Sequence, residues 1–141
     1  MSQVDALVAF FEQLKPADLA RLNELYAPDA YFKDPFNEVR GVPAIEGIFT
    51  HMFEALETPH FIVTGRVEQG QACFLTWDFR FRFLRFDRSR WQTVRGASHV
   101  RFNEAGQVVF HRDYWDAAEE LYEKLPGVGS LMRWLKRQAN R

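Results

Sequence analysis

The sequence has a single cysteine, Cys73, and no long uninterrupted hydrophobic run. One cysteine excludes an intramolecular disulfide and is typical of a protein kept in a reducing compartment. No apolar run reaches the roughly 18 residues that a membrane-spanning helix needs. The first residues show no basic segment before an apolar stretch, so we expect no secretion signal and a cytoplasmic location.

Aromatic residues, in contrast, are abundant. They make up 16% of the 141 residues and include 14 Phe and 4 Trp, within a hydrophobic fraction of 47%. The length is that of one domain, and the hydrophobic fraction is sufficient for a core. So many rings indicate an aromatic-lined cavity or an apolar face that a partner covers.

Charge is unevenly distributed along the chain. Every acidic residue lies at or before Glu123, and the 13 basic and 19 acidic residues up to that point give a net charge of −6. Residues 124–141 carry five positive charges and no negative one. A nucleic-acid-binding domain is usually basic as a whole, so we expect no nucleic-acid partner.

The basic C-terminal segment has an amphipathic pattern. Leu131, Trp134 and Leu135 fall on one side of a helical wheel, and Arg133 and Arg137 fall on the other. We therefore predict a main domain over residues 1–125 and a basic amphipathic helix over residues 126–141. This helix could dock on its own domain, on a partner subunit or on an anionic membrane surface.

The hydrophobic period changes from helical to strand-like near residue 60. Helical spacing predicts helices near residues 4–14, 18–25, 43–56 and 117–125, and alternation predicts strands over residues 29–33, 61–67, 72–86, 91–102 and 107–115. Short turns between the later strands indicate an antiparallel meander. This order predicts an α+β fold, with helices packed on one face of a curved antiparallel sheet.

Three segments carry a family resemblance: LYAPDAYFKDP at residues 25–35, RGVPAI at 40–45, and RFNEAGQVV running into HRDYWD within 101–116. With the order of elements, they resemble the nuclear transport factor two-like superfamily, in particular its SnoaL-like, ketosteroid isomerase-like and limonene-epoxide hydrolase-like branch. The resemblance spans residues 3–122. It implies a cone-shaped domain with a pocket between sheet and helices, usually dimeric through the outer sheet face.

Compared with the ketosteroid isomerases, the sequence keeps one functional position and changes two. The resemblance places their general base at Asp34, before a proline. Their oxyanion-hole tyrosine falls on Phe10, and their oxyanion-hole aspartate falls on Ser98. The base is present and both main donors are absent, which argues against steroid isomerisation by that mechanism.

The epoxide hydrolases and the polyketide cyclase resemble the chain most at its last strand. Their catalytic aspartate corresponds to Asp113, within the RDYWD stretch of residues 112–116. The hydrolase tyrosine that helps to hold water corresponds to Tyr31, whereas its asparagine two residues later falls on Lys33.

Two readings of the strand over residues 72–86 remain open. The hydrolases have an Arg-x-Asp pair on this strand. The resemblance aligns that pair with Asp78 and Arg80, with the charges exchanged, and so implies that both side chains lie inside the pocket. Simple alternation instead turns Trp77, Phe79 and Phe81 inward.

The last strand places His111, Asp113 and Trp115 on one face. A carboxylate in an apolar pocket suits general acid or base catalysis. The structural alternatives are an Asp113–Arg80 ion pair, a satisfied core histidine at His111, and a turn role for Asp34, since Asp-Pro is common in turns.

We therefore expect a cofactor-free enzyme for a small apolar or amphipathic molecule, acting by isomerisation, cyclisation or epoxide opening. We expect a homodimer and no metal, because no third ligand has suitable spacing. The alternatives are a non-catalytic module that binds a lipid or similar ligand, and a scaffold for protein association. The expected catalytic residues are Asp113, His111 and Asp34, and the expected substrate-binding residues are Tyr31, Asp78, Arg80, Ser98, Trp115 and Phe10.

Overall fold

The computed structural model describes residues 2–84, 89–120 and 127–139. The elements, in chain order, are α1 (Gln3–Glu12), a 3₁₀ helix (Pro16–Arg21), α2 (Leu22–Leu25), β1 (Tyr26–Lys33), β2 (Glu38–Arg40), α3 (Val42–Ala55), β3 (Leu56–Gln69), β4 (Ala72–Phe83), β5 (Gln92–Phe102), β6 (Val108–Tyr114), α4 (Ala117–Glu120) and α5 (Val128–Ala139). The predicted α+β class is confirmed.

The two longest N-terminal helices begin at recognisable sequence signals. Ser2 and Asp5 form a reciprocal capping box at the start of α1, with each side chain accepting from the other residue's backbone N–H. Helix α3 begins after Gly41, whose φ of 100° is in the region that favours glycine, and has Pro43 in its first turn.

The six strands form one curved sheet in the order β2-β1-β6-β5-β4-β3. The strands from β3 to β6 pair as an antiparallel meander, as predicted. Strand β1 instead lies parallel to β6 and carries the short strand β2, which the sequence pattern missed, on its other side. The sheet is therefore mixed, and β1 brings its residues next to those of β6.

The core lies between the inner sheet face and helices α1 and α3. Leu7, Phe11, Ile45 and Phe49 of the helices are buried. Strands β1 and β4–β6 supply the other large buried side chains, among them Tyr26, Phe32, Trp77, Phe81, Val100 and Val108.

Strand β4 resolves the two readings of its face in favour of simple alternation. Its odd-numbered residues Leu75, Trp77, Phe81 and Phe83 are buried, while Phe74 is 51% exposed. Apolar burial thus determines which side of this strand faces the core.

Some predicted boundaries differ from the observed ones. The predicted second helix is a 3₁₀ turn followed by the single turn of α2, and strand β3 begins five residues earlier than expected, directly after α3. The ends of the predicted strand at residues 85–86 and of the predicted helix at 121–125, with the proposed domain boundary, lie outside the described residues. Among the described residues, no helix has the length and apolar character to cross a bilayer.

Candidate functional site

Two adjacent cavities lie between the inner sheet face and the helices. The larger measures about 350 Å³. The smaller, of about 30 Å³, lies deeper and reaches Leu7 of α1 and Val100 of β5. Phe49, Phe61, Trp77 and Asp113 line both. The aromatic side chains around the larger cavity are Phe32, Phe36, Phe49, Phe61, Trp77, Phe79, Phe81, Phe83 and Trp115.

Asp113 on β6 is the polar group shared by the two cavities. Its side chain is 16% exposed, and its Oδ1 accepts a hydrogen bond from Ser98 Oγ at 2.5 Å. His111 Nε2 lies 2.7 Å from the same Oδ1. Among the described residues, no hydrogen bond reaches Oδ2, so the acceptor capacity of this oxygen is unused.

Neighbouring strands supply the donors that hold Asp113. Strand β5 pairs Ser98 directly opposite Asp113, which places the hydroxyl beside the carboxylate. Trp77 of β4 donates its indole N–H to Ser98 Oγ at 2.8 Å. Because the indole nitrogen can only donate, Ser98 accepts from Trp77 and directs its own proton to Asp113.

His111 extends the same network on its other side. The residue is 4% exposed, and its Nδ1 lies 2.6 Å from the hydroxyl of Tyr26, which is fully buried on β1. When the ring is neutral and Nε2 carries the proton that it donates to Asp113, Nδ1 has no proton. Nδ1 then accepts a hydrogen bond from the hydroxyl of Tyr26. Burial, and secondarily the charge of Asp113, raises the pKa of Tyr26 well above its usual range, so this phenol keeps its proton.

The hydrogen bonds of this network therefore converge on Oδ1 of Asp113. Trp77 donates to Ser98 and Ser98 to Asp113, while Tyr26 donates to His111 and His111 to Asp113. Such a chain of buried, satisfied hydrogen bonds fixes the orientation of the carboxylate. Asp113 and Arg80 do not form the ion pair that was the structural alternative, because Arg80 lies on the other face of the sheet.

Asp34 lines the larger cavity, but its carboxylate is used by the turn that follows β1. Its Oδ1 accepts from the backbone N–H groups of Phe36 and Asn37 at 2.8 and 2.7 Å, and from the Asn37 side chain. The turn role explains these contacts, and the expected role of Asp34 as a general base stays a prediction.

Three expected substrate-binding residues lie outside the cavity. Tyr31 stacks on Phe110 with ring centres 5.3 Å apart and donates its hydroxyl to Glu38 at 2.5 Å. Asp78 and Arg80 alternate with the cavity-lining Phe79, so they point to the outer face. The resemblance placed Asp78 and Arg80 inside the pocket, whereas the inward side chains of β4 are the aromatic ones.

Among the remaining expected residues, Phe10 lines neither of the two cavities. It contacts Phe11 edge-on at 5.6 Å and lines a surface depression at the start of the chain. Phe11 is the residue that lines the inner cavity, 5.7 Å from the His111 ring. Trp115 does line the larger cavity, where it packs against Phe36.

Sequence reasoning missed Tyr26 and the role of Trp77. Tyr26 reaches His111 only because β1 pairs parallel to β6, which local periodicity does not show. The inward turn of Trp77 was signalled by the alternation of β4, but its Ser98 contact depends on strand register.

The described residues bear on two further kinds of site, a metal centre and a cysteine nucleophile. Within residues 2–84, 89–120 and 127–139, no cluster of three or more His, Cys, Asp or Glu side chains could hold a metal ion. Burial raises the pKa of Cys73 to about 11, so its thiol is protonated near neutral pH.

Several solved structures share this architecture. No protein of curated function matches the sequence. A protein from Catenulispora acidiphila DSM 44928 with a ketosteroid isomerase-like fold, solved with trimethylamine, is 19% identical with a TM-score of 0.71; the match covers 84% of this chain and 88% of that one.

Two further solved structures are similar over most of their length. An NTF2-like protein of unknown function from Burkholderia pseudomallei K96243 is 19% identical with a TM-score of 0.72, over 84% of this chain and 95% of that one. A candidate SnoaL-like polyketide cyclase from Jannaschia sp. CCS1 is 16% identical with a TM-score of 0.69, over 83% and 87%. At these identities the likeness shows the fold. The model of the SnoaL-like domain matches residues 7–111, most of the chain, and the protein therefore belongs to the SnoaL-like domain family.

Proposed function

We propose that the protein is a cofactor-free enzyme that moves a proton on a small, mainly apolar molecule, with Asp113 as the general base. The observation that carries this proposal is the asymmetry of the carboxylate. Oδ1 accepts from Ser98 and His111, whereas Oδ2 has no hydrogen-bond partner among the described residues, and Asp113 lines the aromatic cavity.

In this mechanism Oδ2 takes a proton from the bound molecule, and the electron pair of the broken bond stays on that molecule. The proton then returns from Oδ2 to a different atom, or the electron pair forms a new bond within the molecule. Ser98 and His111 keep the carboxylate aimed throughout, so no reorientation is needed at the reacting step. The aromatic walls exclude water, which strengthens electrostatic interactions inside the cavity.

His111 acts in this scheme as a positioning residue. Both ring nitrogens have partners, Tyr26 and Asp113, at 2.6 and 2.7 Å. A histidine that exchanges protons with substrate needs a nitrogen facing it. The sequence-based expectation that His111 is catalytic is therefore replaced by a role in orienting Asp113.

Isomerisation and cyclisation fit the cavity better than epoxide opening. The residues that the resemblance linked to the hydrolytic water or its proton relay, Tyr31, Asp78 and Arg80, lie on the outer sheet face. The naming of the Jannaschia relative as a candidate cyclase agrees with this preference.

The alternative function is a non-catalytic module that binds a small molecule. The position of Asp34 favours it, because a second carboxylate that could share acid and base roles with Asp113 is used in a turn.

A matched pair of variants tests the proposal. Proton exchange and product formation are measured on unsaturated ketones, polyketide-like esters and terpenoid epoxides. We expect turnover by the wild-type protein and by Asp78→Asn, and a loss of roughly 100-fold or more in Asp113→Asn. Equal turnover by both variants would refute the role of Asp113. Binding without turnover of any compound would favour the binding module.

A further inference from the structure

We propose that the aromatic cavity selects an apolar amine in its cationic, alkylammonium form. The starting observation is the charge of the cavity wall. Two carboxylates, Asp34 and Asp113, line the larger cavity, and no Lys or Arg is among its described lining residues. The arginines of β4, Arg80 and Arg82, alternate with the inward aromatic side chains and lie on the outer side.

The second observation is the kind of apolar surface. Nine of the lining residues are aromatic, among them Trp77, Phe79, Phe81 and Trp115. The face of an aromatic ring carries negative electrostatic potential, so it attracts a cation as well as apolar groups. An aliphatic wall would bury apolar surface equally well without this preference.

These two features discriminate among three ligand classes. An anion would face two carboxylates and find no lysine or arginine among the described lining residues, where His51 is the one imidazole. A neutral hydrocarbon would cover Oδ2 of Asp113 and leave a charged oxygen without a partner, which is costly. An alkylammonium ion meets both Oδ2 and the ring faces with attraction.

The size of the cavity limits the ligand. About 350 Å³ is at the lower end of the range for small-molecule sites. This volume suits one ammonium group carrying small alkyl substituents and one ring or short chain.

The inference adds a substrate class to the proposed function. It rests on that proposed function only for the catalytic step, because binding of an alkylammonium ion requires no turnover. A positive nitrogen on the substrate stabilises negative charge that develops on an adjacent carbon when Oδ2 of Asp113 removes its proton. The protein's own donors near this point are already used, since Trp77 donates to Ser98 and Ser98 to Asp113. A cationic substrate would supply the stabilisation that these donors do not.

Three probes of similar size test the ligand class: benzyltrimethylammonium, its uncharged carbon analogue neopentylbenzene, and phenylacetate. Binding is followed by NMR titration of the indole signals of Trp77 and Trp115. We expect benzyltrimethylammonium to bind at least about tenfold more tightly than neopentylbenzene, and phenylacetate to cause no shift. Equal affinity for the charged and uncharged probes, or tighter binding of phenylacetate, would overturn the inference.

Variants of the cavity residues test which side chains produce the preference for the ammonium probe. Asp113→Asn should weaken benzyltrimethylammonium binding about tenfold, whereas Asp78→Asn, on the outer face, should leave it unchanged. If Asp113→Asn does not fold, Trp115→Leu serves instead, and it should weaken the ammonium probe more than neopentylbenzene. An equal effect of Trp115→Leu on both probes would count against the inference.

The titration needs no turnover, so the two proposals can fail separately. Selective ammonium binding without any proton-transfer activity would contradict the proposed function and support this inference. Turnover of neutral substrates by a protein that does not bind the ammonium probe would contradict this inference alone.

Discussion

At the scale of single residues, the network around Asp113 makes a specific claim about one proton. Tyr26 donates to Nδ1 of His111, so the neutral ring carries its proton on Nε2. Nitrogen chemical shifts of the His111 ring should show this tautomer in the wild-type protein. Tyr26→Phe should weaken the preference and lower the free energy of unfolding by about 1–3 kcal/mol, because Nδ1 loses its buried donor.

A surface tyrosine provides the control for this measurement. Tyr31→Phe removes a hydroxyl that contacts Glu38 on the outer face, and it should leave the His111 signals unchanged. A wild-type ring protonated on Nδ1 would contradict the direction of the network.

Gly96 on β5 lies opposite Trp77 on β4, so a substitution at Gly96 tests whether the Trp77 ring is held in place. A β-carbon built at Gly96 would lie 2.4 Å from the Trp77 ring, with which it pairs in register. Gly96→Ala should therefore displace the indole from Ser98 and destabilise the protein by about 1–3 kcal/mol. Gly47→Ala is the matched control, because Gly47 lies in α3 with nothing within 4 Å of the added carbon. Its effect should be neutral or stabilising by roughly 0.5–1 kcal/mol; equal stability of both variants would show that Trp77 is not confined.

Some residues of the site could be predicted from the sequence, and others could not. Alternation along one strand, which is a local property, put Asp113, His111 and Trp115 on one face, and the resemblance singled out Asp113. Ser98 came from the resemblance, but its contact with Asp113 depends on the register of β5 against β6. Tyr26 was missed because its partner is 85 residues away in the sequence.

At the scale of elements, β4 shows where physical patterning was the better guide. Its alternation of aromatic and charged residues fixed the inward face, because a one-residue shift would have buried Asp78 and Arg80 in place of Trp77 and Phe79. The positions of the predicted helices and meander strands followed from periodicity in the same way. Strand β2 has three residues, too few for a period to be recognised.

Helix α5 carries an amphipathic surface whose function can be tested directly. Leu131, Trp134 and Leu135 are 53%, 49% and 45% exposed, and Arg133 and Arg137 follow on the charged side of the sequence pattern. We expect binding to vesicles of anionic lipid, with a blue shift of Trp134 fluorescence, and little binding to neutral vesicles.

Truncation after Lys124 should abolish this binding and leave the domain folded. Melting of the domain on truncation would show that the segment is structural, which would contradict the membrane role. Leu131→Asp offers a milder variant, since it keeps the segment and removes part of its apolar side.

At the scale of the whole molecule, the outer sheet face bears an aromatic row that crosses four strands. Tyr31 stacks on Phe110, His99 lies 5.0 Å from Phe110, and Phe74 stacks on His99 at 4.4 Å. Phe74 is 51% exposed, as large apolar side chains in a contact surface are before a partner covers them. We propose that this face forms the homodimer that the sequence led us to expect.

Light scattering with a single charge substitution tests the assembly. The wild-type protein should be a dimer at micromolar concentration, and Phe74→Asp should be a folded monomer, because a buried unpaired charge disfavours the contact. Glu104→Gln, at an exposed turn, is the control and should remain dimeric. A monomeric wild-type protein would contradict the proposal.

Asp113 is proposed to be a reactive group and not a structural one, and thermal unfolding of Asp113→Asn distinguishes these two roles. Its partners, Ser98 and His111, donate hydrogen bonds to Oδ1, and an amide oxygen can accept the same hydrogen bonds. A carboxylate kept for chemistry is costly to hold in an aromatic cavity, so we predict an unfolding midpoint that is unchanged or slightly higher. A carboxylate kept for folding would give the opposite result, a loss of about 3 kcal/mol or more and a fall of roughly 10 °C. That fall would contradict the account.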